Sequence, residues 1–435
     1  MTRLLLLLFV LGLAACGGGT GPAASDVATD TGADPAPDGL DDVRDPTEIR
    51  TPGADTLPDL PPEVPPGPAR YGRPELDSEP LYDYIQRVVT DRGLSPAEFD
   101  HSLKELAVFQ DRLYLGYGDW TVNTGPVDIR HFEADGRLVV DVVIDEESID
   151  YYRVEGTRMF IPGVDPRQPP GTDPLTGNVF TLEAGGQWVS AHELEQCLHV
   201  LDTVPWGDAL WACGSGNIDM DHYHAGDDMA VLWRSDDGGL TWDVETTWHD
   251  DNTNAVVRWE RFLRAGGDLY VLGQTIDYVA GVLTNVPRKR QGEEWVPVDL
   301  LPTLWVRHTL QWRSDEGLVW GLDLGAEGKP VRVFRVGAQG VAESVAYLDA
   351  EDLGVLDVFR LEDEDLVFLV REGSSTDTPP AAPWAYRVLR THDLDAFDEL
   401  TAFEHGEAFL SVALWGDRLL LGGVEGGLWE CPLLP

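Results

Sequence analysis

The densest cluster of side chains that could do chemistry lies in one acidic stretch, residues 219–228, which reads DMDHYHAGDD. A second acidic stretch, residues 249–252, begins with a histidine and ends with an asparagine. Two imidazoles in alternate positions beside carboxylates suit a transition metal, and the carboxylates with Asn252 would suit Ca²⁺. The predicted ligands of a calcium or transition-metal ion are Asp219, His222, His224, Asp227, His249 and Asp251. The spacing matches no established metal motif, and a solvated acidic loop is the alternative.

Aromatic residues nearby could instead bind a sugar or a peptide by stacking, with polar neighbours for hydrogen bonds. The candidate binding residues are Trp120, Asp221, His222, Tyr223, His224 and Trp384. Packing in the core is the alternative role of each aromatic side chain. His199 lies on an apolar strand and could face a central channel, although a hydrogen-bonded core histidine is the simpler interpretation.

Composition limits the partners. The chain has 435 residues, of which 77 are Asp or Glu and 31 are Lys or Arg, for a formal net charge of −46. It lacks the basic surface that attracts nucleic acid, so we exclude a nucleic-acid partner. With 43% hydrophobic residues, including 15 Trp, it can bury a large core. Among 77 acids, a carboxylate pair for acid–base chemistry cannot be recognised by spacing.

One pattern recurs after residue 100: an apolar strand, a tight polar turn, and a second strand that begins with Leu or Met and often ends in Gly. The second strands begin at Leu113, Met159, Leu210, Leu269, Leu318, Leu366 and Leu419. These starts are 46 to 59 residues apart, which is the size of a four-stranded propeller blade. We therefore predict an all-β fold, a seven-bladed β-propeller over residues 101–435, with six or eight blades as alternatives.

The seventh unit is too short for four strands, because only residues 427–434 are left for a strand after its second one. We expect a segment before residue 100 to supply the missing outermost strand. Residues 71–100 read as a short helical segment. Ser78 is the expected N-cap of a helix that ends at Gly93, and Ser95 with Glu98 forms a capping box.

Strand direction assigns the loops to two faces. If the strands of each blade are antiparallel and run from A at the axis to D outside, the A–B and C–D turns share one face. The B–C and D–A connections share the other. The long B–C loops are residues 116–128, 162–178, 214–229 and 371–384. Long loops on a rigid scaffold commonly carry binding sites, so we expect the ligand on this face, which we call the long-loop face.

One family signature is sharp. Residues 235–242, SDDGGLTW, match the Asp-box pattern S-x-D-x-G-x-T-W at Ser235, Asp237, Gly239, Thr241 and Trp242. The stretch resembles the bacterial neuraminidase repeat of sialidase-like propellers. The resemblance implies a structural hairpin on the face away from the active site. Weaker relatives of this turn lie at residues 133–136 and 183–188.

The same resemblance makes a sialidase-like glycoside hydrolase an alternative function. Such a site would need three arginines around a carboxylate, a Tyr–Glu nucleophile pair and an acidic proton donor. The Arg-Ile-Pro element of the family is absent, and the nearest stretch is Phe160-Ile161-Pro162. A single clean Asp-box also departs from the several that these enzymes carry.

The N-terminus reads as a lipoprotein signal. Arg3 precedes an apolar stretch, residues 4–13, that is too short to span a bilayer. Leu13-Ala14-Ala15-Cys16 resembles a bacterial lipobox, which implies a signal peptide over residues 1–15 and lipidation of Cys16. A plain secretory signal is the alternative. Residues 16–70 are acidic and rich in proline, as expected for a disordered tether. Gly17 after the cysteine resembles lipoproteins of the outer membrane.

Three further cysteines follow. Cys197 and Cys213 flank the A–B hairpin of the third unit almost symmetrically, so an exported chain could join them in a disulfide. Two buried thiols are the alternative, and Cys431 is expected to be buried.

The sequence favours an exported, lipid-anchored protein of the cell envelope whose propeller binds a glycan or protein ligand through its long-loop face. Its membrane contact would be the N-terminal lipid. The alternatives are an enzyme, either a glycoside hydrolase or a lyase, acting at the same face, and a scaffold protein. We lean away from an enzyme, and no cofactor beyond the metal ion is indicated.

Overall fold

The computed structural model describes residues 70–435, apart from 123, 165–175, 198, 218–227, 251–254, 278, 281, 303, 324–330, 351–352 and 373–381. Seven antiparallel sheets follow one another along the described chain. In six of the seven neighbouring pairs of sheets, all but that of blades one and two, the first strands contact each other, so they surround a common axis. The protein is a seven-bladed β-propeller, and the predicted blade number is confirmed against six and eight.

The described part begins with β1 (Glu75–Ser78), α1 (Tyr82–Arg92) and a 3-10 helix (Pro96–Glu98). Blades one to three comprise β2 (Glu105–Phe109), β3 (Arg112–Gly116), β4 (Val127–Phe132), β5 (Leu138–Ile144); β6 (Arg153–Glu155), β7 (Arg158–Pro162), β8 (Thr176–Glu183), β9 (Trp188–Glu195); β10 (His199–Trp206), β11 (Ala209–Asn217), β12 (Asp228–Ser235) and β13 (Asp243–Trp248). Blade four comprises β14 (Ala255–Ala265), β15 (Asp268–Asp277), β16 (Val282–Asn285), β17 (Arg288–Gln291) and β18 (Glu294–Pro297).

Blade five comprises β19 (Leu304–Arg313), β20 (Glu316–Asp323), β21 (Val331–Val336) and β22 (Ala342–Ser344), and α2 (Ala346–Ala350) follows it. Blades six and seven comprise β23 (Leu353–Arg360), β24 (Leu366–Glu372), β25 (Trp384–Thr391), β26 (Asp398–His405); β27 (Phe409–Trp415), β28 (Arg418–Gly423) and β29 (Leu428–Cys431). Every second strand contains one of the predicted starts. The described strand ends that border the long B–C connections lie at one end of their sheets, and most residues of those connections lie outside the described residues.

The ring is closed by the N-terminal strand. β1 pairs antiparallel with β29 and becomes the outermost strand of blade seven. Arg418 donates to Asp77 of β1 at 2.8 Å and to Glu430 of β29 at 2.9 Å. The prediction that a segment before residue 100 completes the last blade is confirmed.

The helical segment packs against blade one. Tyr84 and Val88 of α1 are buried, and the Tyr84 hydroxyl donates to Thr124 Oγ1 at 2.8 Å. α1 ends at Gly93 as predicted, but the predicted N-cap was wrong, because Ser78 is the last residue of β1. The Ser95–Glu98 capping box is confirmed on the 3-10 helix. No described helix is long and apolar enough to cross a bilayer.

The predicted disulfide between Cys197 and Cys213 is wrong. The two side chains lie on opposite faces of the blade-three sheet, since Cys197 clusters with Phe160 of blade two and Cys213 with Trp259 of blade four. The register places Cys213 opposite Asp202. None of the three described cysteines forms a disulfide, and Cys431 is buried as expected.

A bulge recurs in the innermost strands. In blades three to seven, the pairing of the first strand with the second skips one residue at a similar depth along the strand. The skipped residues are Leu201, Glu260, Arg307, Leu356 and Leu410, and the next residues in the chain are Asp202, Arg261, His308, Asp357 and Ser411. A bulge re-aims the side chains next to it. Five blades therefore repeat the same bulge at a similar depth along the axis.

The glycine at the end of the second strand permits this bulge. A Cβ on Gly273 would overlap the carbonyl oxygen of Arg258, and a Cβ on Gly321 would overlap that of Trp305. At these two positions a side chain would collide with the backbone of the bulged strand, whereas blade six forms its bulge opposite Val370.

We therefore expect Gly273→Ala to lower the free energy of unfolding by about 2 kcal/mol, as overpacking in a closed site does. Gly337→Ala is the matched control, because a Cβ there meets nothing within 4 Å, and it should change stability by less than about 0.5 kcal/mol. Urea unfolding followed by Trp fluorescence measures both. Equal stabilities of the two variants would remove this role from the glycine.

Candidate ligand-binding site on the propeller axis

Polar side chains from different blades converge on the axis. The cluster, which we call the axial cluster, comprises Glu105, Tyr151, Arg261, Arg307, His308 and Asp357. The Tyr151 hydroxyl donates to the carbonyl oxygen of Thr309 at 3.3 Å, and its ring lies 5.8 Å from that of His308. Tyr151 precedes blade two and Thr309 lies in blade five, so this contact crosses the axis. No motif or spacing in the sequence marks these residues as a site.

Beside it, a buried ion pair ties three blades together. Arg153 donates to both carboxylate oxygens of Asp202, at 2.8 and 2.5 Å, and also to the carbonyl of Phe262 at 3.2 Å. Asp202 is fully buried. A buried carboxylate is costly unless paired, and here the guanidinium compensates it.

Asp357 repeats the position of Asp202 without its arginine. Each aspartate accepts one hydrogen bond from the N–H of the next residue and one from an N–H of the innermost strand of the next blade. The donors to Asp202 are Thr203 at 2.8 Å and Phe262 at 2.7 Å. The donors to Asp357 are Val358 and Val412, both at 2.8 Å. No guanidinium of the described residues bonds to Asp357. Burial raises the pKa of Asp357 to about 6, although the two N–H donors oppose that rise.

A second carboxyl group shares this environment. Burial raises the pKa of Glu105 well above its ordinary value, and the charge of Asp357 raises it further. Arg261 acts in the opposite direction. Glu105 begins β2, at the end of the strand nearer the long-loop face. The axis therefore holds two acids whose surroundings favour the neutral form.

Arg261 carries a guanidinium without a carboxylate partner. It is 9% exposed, and its Nη1 donates to the carbonyl oxygens of Leu201 and Glu260, both at 2.7 Å. Its Nε has no hydrogen-bond partner among the described residues. The group stacks on the ring of Tyr151 at 4.9 Å from the centroid, a cation–π contact.

Arg307 and His308 complete the cationic side of the cluster. Arg307 is open to solvent and forms no hydrogen bond or ion pair with any described residue. Desolvation by its neighbours nevertheless lowers its pKa, and the charge of Asp357 opposes that change. Burial also lowers the pKa of His308 well below its ordinary value, with help from Arg261 and Arg307. His308 is therefore a neutral imidazole at neutral pH, stacked on Trp320 at 5.3 Å.

The opposite end of the axis is occupied by ion pairs. Arg264 of blade four donates to Glu155 of blade two at 2.7 Å and to Gln311 of blade five at 3.1 Å. All three lie toward the A–B turns, farther from the long-loop face than the bulges. The axial cluster is therefore placed on the side of the long loops.

The residues predicted from sequence lie partly elsewhere. Trp120 is 39% exposed, and its ring meets that of His199 edge-on at 6.4 Å. His199 is buried, and its Nδ1 lies 2.9 Å from Ser215 Oγ. This contact agrees with the interpretation of His199 as a hydrogen-bonded core histidine. Trp384 begins β25 on another blade and is half-buried, so the structure does not show it beside Trp120.

The metal prediction depends on residues that the structure does not describe. His249 is exposed just after β13. The other predicted ligands and candidate binding residues, Asp219, Asp221, His222, Tyr223, His224, Asp227 and Asp251, lie outside the described residues. Within the described part, no three His, Cys, Asp or Glu side chains are grouped to hold a metal ion.

The turn at residues 235–242 connects β12 to β13 on the face opposite the long loops. Asp237 accepts from the N–H groups of Leu240 and Thr241, at 3.0 and 2.9 Å, and from the Thr241 hydroxyl at 2.7 Å. Ser235 donates to Asp237 at 2.8 Å, and Trp242 is buried. The hydrogen bonds of the backbone and side chain of Thr241 hold the pKa of Asp237 well below its ordinary value. These contacts hold residues 235–242 in a compact hairpin turn.

Blade six has a similar turn that the sequence search missed. Asp393 accepts from the N–H groups of Asp395 and Ala396, both at 3.0 Å, and Thr391 Oγ1 accepts from Leu394 N at 2.9 Å. The sequence signal of this turn is Thr391 and Asp393, which stand where the motif has Ser and Asp. The turn departs from the motif at Asp395, which stands where the motif has glycine.

No family model and no curated protein matches this chain. Among solved structures it is similar to a catalytically inactive virginiamycin B lyase from Staphylococcus aureus with quinupristin, at 9% identity and a TM-score of 0.43, over 77% of this chain and 96% of that one. It is similar to YCF48 bound to D1 peptide, at 10% identity and 0.42, over 77% and 92%. It is also similar to Trypanosoma rangeli sialidase, at 13% identity and 0.38, over 69% and 56%. These similarities concern the propeller fold alone.

The two raised carboxyl groups predict how stability responds to pH. A carboxyl whose pKa is higher in the folded protein than in the unfolded chain destabilises the fold as the pH rises above its ordinary range. Glu105→Gln removes one such group. We expect its thermal midpoint to equal that of the wild type at pH 4.5 and to exceed it by about 2 °C at pH 7.5.

Glu293→Gln, in an exposed turn, is the matched control and should follow the wild type at every pH. Differential scanning calorimetry measures all three proteins. If Glu105→Gln tracks the wild type across this range, Glu105 does not face a desolvating site.

Proposed function

We propose that this chain is a lipid-anchored protein of the cell envelope whose propeller is a binding module. Its ligand would enter from the long-loop face and reach the axial cluster. The observation that carries this proposal is the convergence of Glu105, Arg261, Arg307 and Asp357 on the axis below that face. Polar groups held on rigid strands beneath long loops are the usual setting of a propeller ligand site.

The proposed anchor rests on the N-terminal sequence. Cys16 follows Leu13-Ala14-Ala15 at the end of an apolar stretch, and Gly17 after it favours the outer membrane. The acidic, proline-rich residues 16–70 would act as a tether between the lipid and the propeller.

An enzyme is the second candidate, either a glycoside hydrolase or a lyase. It is favoured by the same axial cluster, where two carboxyl groups with raised pKa lie near arginines and a neutral histidine. Perturbed acids beside cations are typical of acid–base sites. Against this, both oxygens of Asp357 accept backbone N–H groups that link blades six and seven, which is a structural task.

The anchor is tested by expressing the full chain in a bacterium with an outer membrane and labelling it with a radioactive fatty acid. Cys16→Ser should lose the label and move from the membrane fraction to the soluble fraction, because the acyl chains attach there. Cys431→Ser, a buried thiol at the other end of the chain, should keep both. Label retained on Cys16→Ser would contradict the anchor.

The binding face is tested with glycan and peptide arrays, accompanied by a fluorogenic sialoside assay for the enzyme alternative. Trp120→Ala should weaken the affinity for a ligand found on the arrays by about tenfold, since truncating an exposed aromatic contact costs about 1 to 2 kcal/mol. Leu240→Ala, 63% exposed on the opposite face, should have no effect. An equal loss of affinity in both variants would contradict a binding site on the long-loop face. Hydrolysis of the sialoside would favour the enzyme.

A further inference from the structure

We propose that the ligand of the axial cluster carries an oxyanion, a carboxylate or a phosphate group, which Arg261 and Arg307 bind. This inference rests on the proposed function, because it specifies the ligand of the same site. Its basis is the charge pairing of the axis.

The other axial ions have compensating neighbours. Asp202 is paired with Arg153 at 2.5 Å, and Glu155 with Arg264 at 2.7 Å. Glu260 accepts a hydrogen bond from Gln274 at 2.8 Å, and the charges of Arg261 and, more weakly, Arg258 act on it. Arg261 and Arg307 are the exceptions, since neither forms an ion pair with a described residue.

The nearest acids do not supply the missing partners. Asp357 already accepts two backbone N–H groups at 2.8 Å, and no ion pair within 4 Å joins it to Arg307. Glu105 feels the charge of Arg261 but forms no ion pair with it. Neither carboxylate therefore lies within ion-pair distance of Arg261 or Arg307, although the charges of Asp357 and Arg307 act on each other.

Arg261 is nine-tenths buried and forms no ion pair with a described residue, so a bound oxyanion would offset part of its desolvation cost. Arg261 is held in place by Leu201, Glu260 and the Tyr151 ring, with its Nε still without a partner. Arg307 has all its donors available to a ligand from solvent. Guanidinium forks match the geometry of carboxylate and phosphate oxygens. In a chain of formal charge −46, such a pair marks a site selective for a small anion that can enter a channel.

The test uses the full chain purified in detergent, with isothermal titration calorimetry at constant ionic strength. The probes are inorganic phosphate and D-glucuronate, with D-glucose as the neutral counterpart of glucuronate. We expect at least one anion to bind and to raise the thermal midpoint, and glucose to do neither. Phosphate without glucuronate would assign a phosphoryl ligand, and the reverse would assign a carboxylate.

Arg307→Gln should weaken anion binding at least about tenfold, because it removes charged hydrogen bonds. It should fold, since Arg307 bonds to no described residue. Arg261→Lys keeps the charge but loses the fork, and it should weaken binding as well. Arg137→Gln is the control, because it removes one positive charge from an exposed turn of blade one, and its affinity should match that of the wild type.

Equal affinities of Arg307→Gln and Arg137→Gln would overturn the anion site, as would the absence of binding by both anions. If the anions fail while array ligands still bind in a Trp120-dependent way, the anion inference falls and the binding module stands. If no ligand of any class binds, both fall.

Discussion

The propeller depends on the close approach between the bulged innermost strand and the end of the second strand in blades three to seven. At Gly273 and Gly321 the approach leaves no room for a Cβ. The bulge then shifts the alternation of side chains, so that the next residue enters a position that a regular strand would not give it. Without this device, the axis would be lined by the edges of regular strands. With it, five blades each deliver one or two selected side chains to the axis.

The identity of those side chains determines the distribution of charge along the axis. Asp202 and Asp357 occupy equivalent positions and tie neighbouring blades through the same pair of backbone N–H groups. Arg153 compensates the first aspartate and nothing described compensates the second. The same backbone contacts are therefore accompanied by an ion pair in blade three and by none among the described residues of blade six.

Ring closure places the N-terminal region beside the rim of the propeller. β1 fills the last place in blade seven, and α1 then packs on blade one, so the segment before the first blade bridges the two blades at the closure point. A closed ring of seven sheets has few free edges, which suits a rigid scaffold for loops. The position of the short described turns at one end of the sheets follows directly from antiparallel pairing.

The sequence by itself determined the elements and their order. Strand pairs, turns and the recurring glycine are local signals, since period-two alternation and turn residues depend on neighbours in the chain. The same logic predicted seven blades, the missing last strand and the turn at residues 235–242. Predicted element boundaries were wrong where two structures compete for the same residue. Ser78 could have capped a helix, but it pairs in the sheet as the last residue of β1.

The axial cluster and the fate of the cysteines were decided only by the tertiary structure. Glu105, Tyr151, Arg261 and Asp357 come from four blades and are far apart in sequence, so no spacing connects them. Cys197 and Cys213 looked symmetric about a hairpin, but the bulge at Leu201 and the pleat of the sheet send them to opposite faces. A side chain's face depends on the register of every residue between it and the turn, and its charge depends on burial. Both are properties of the assembled ring.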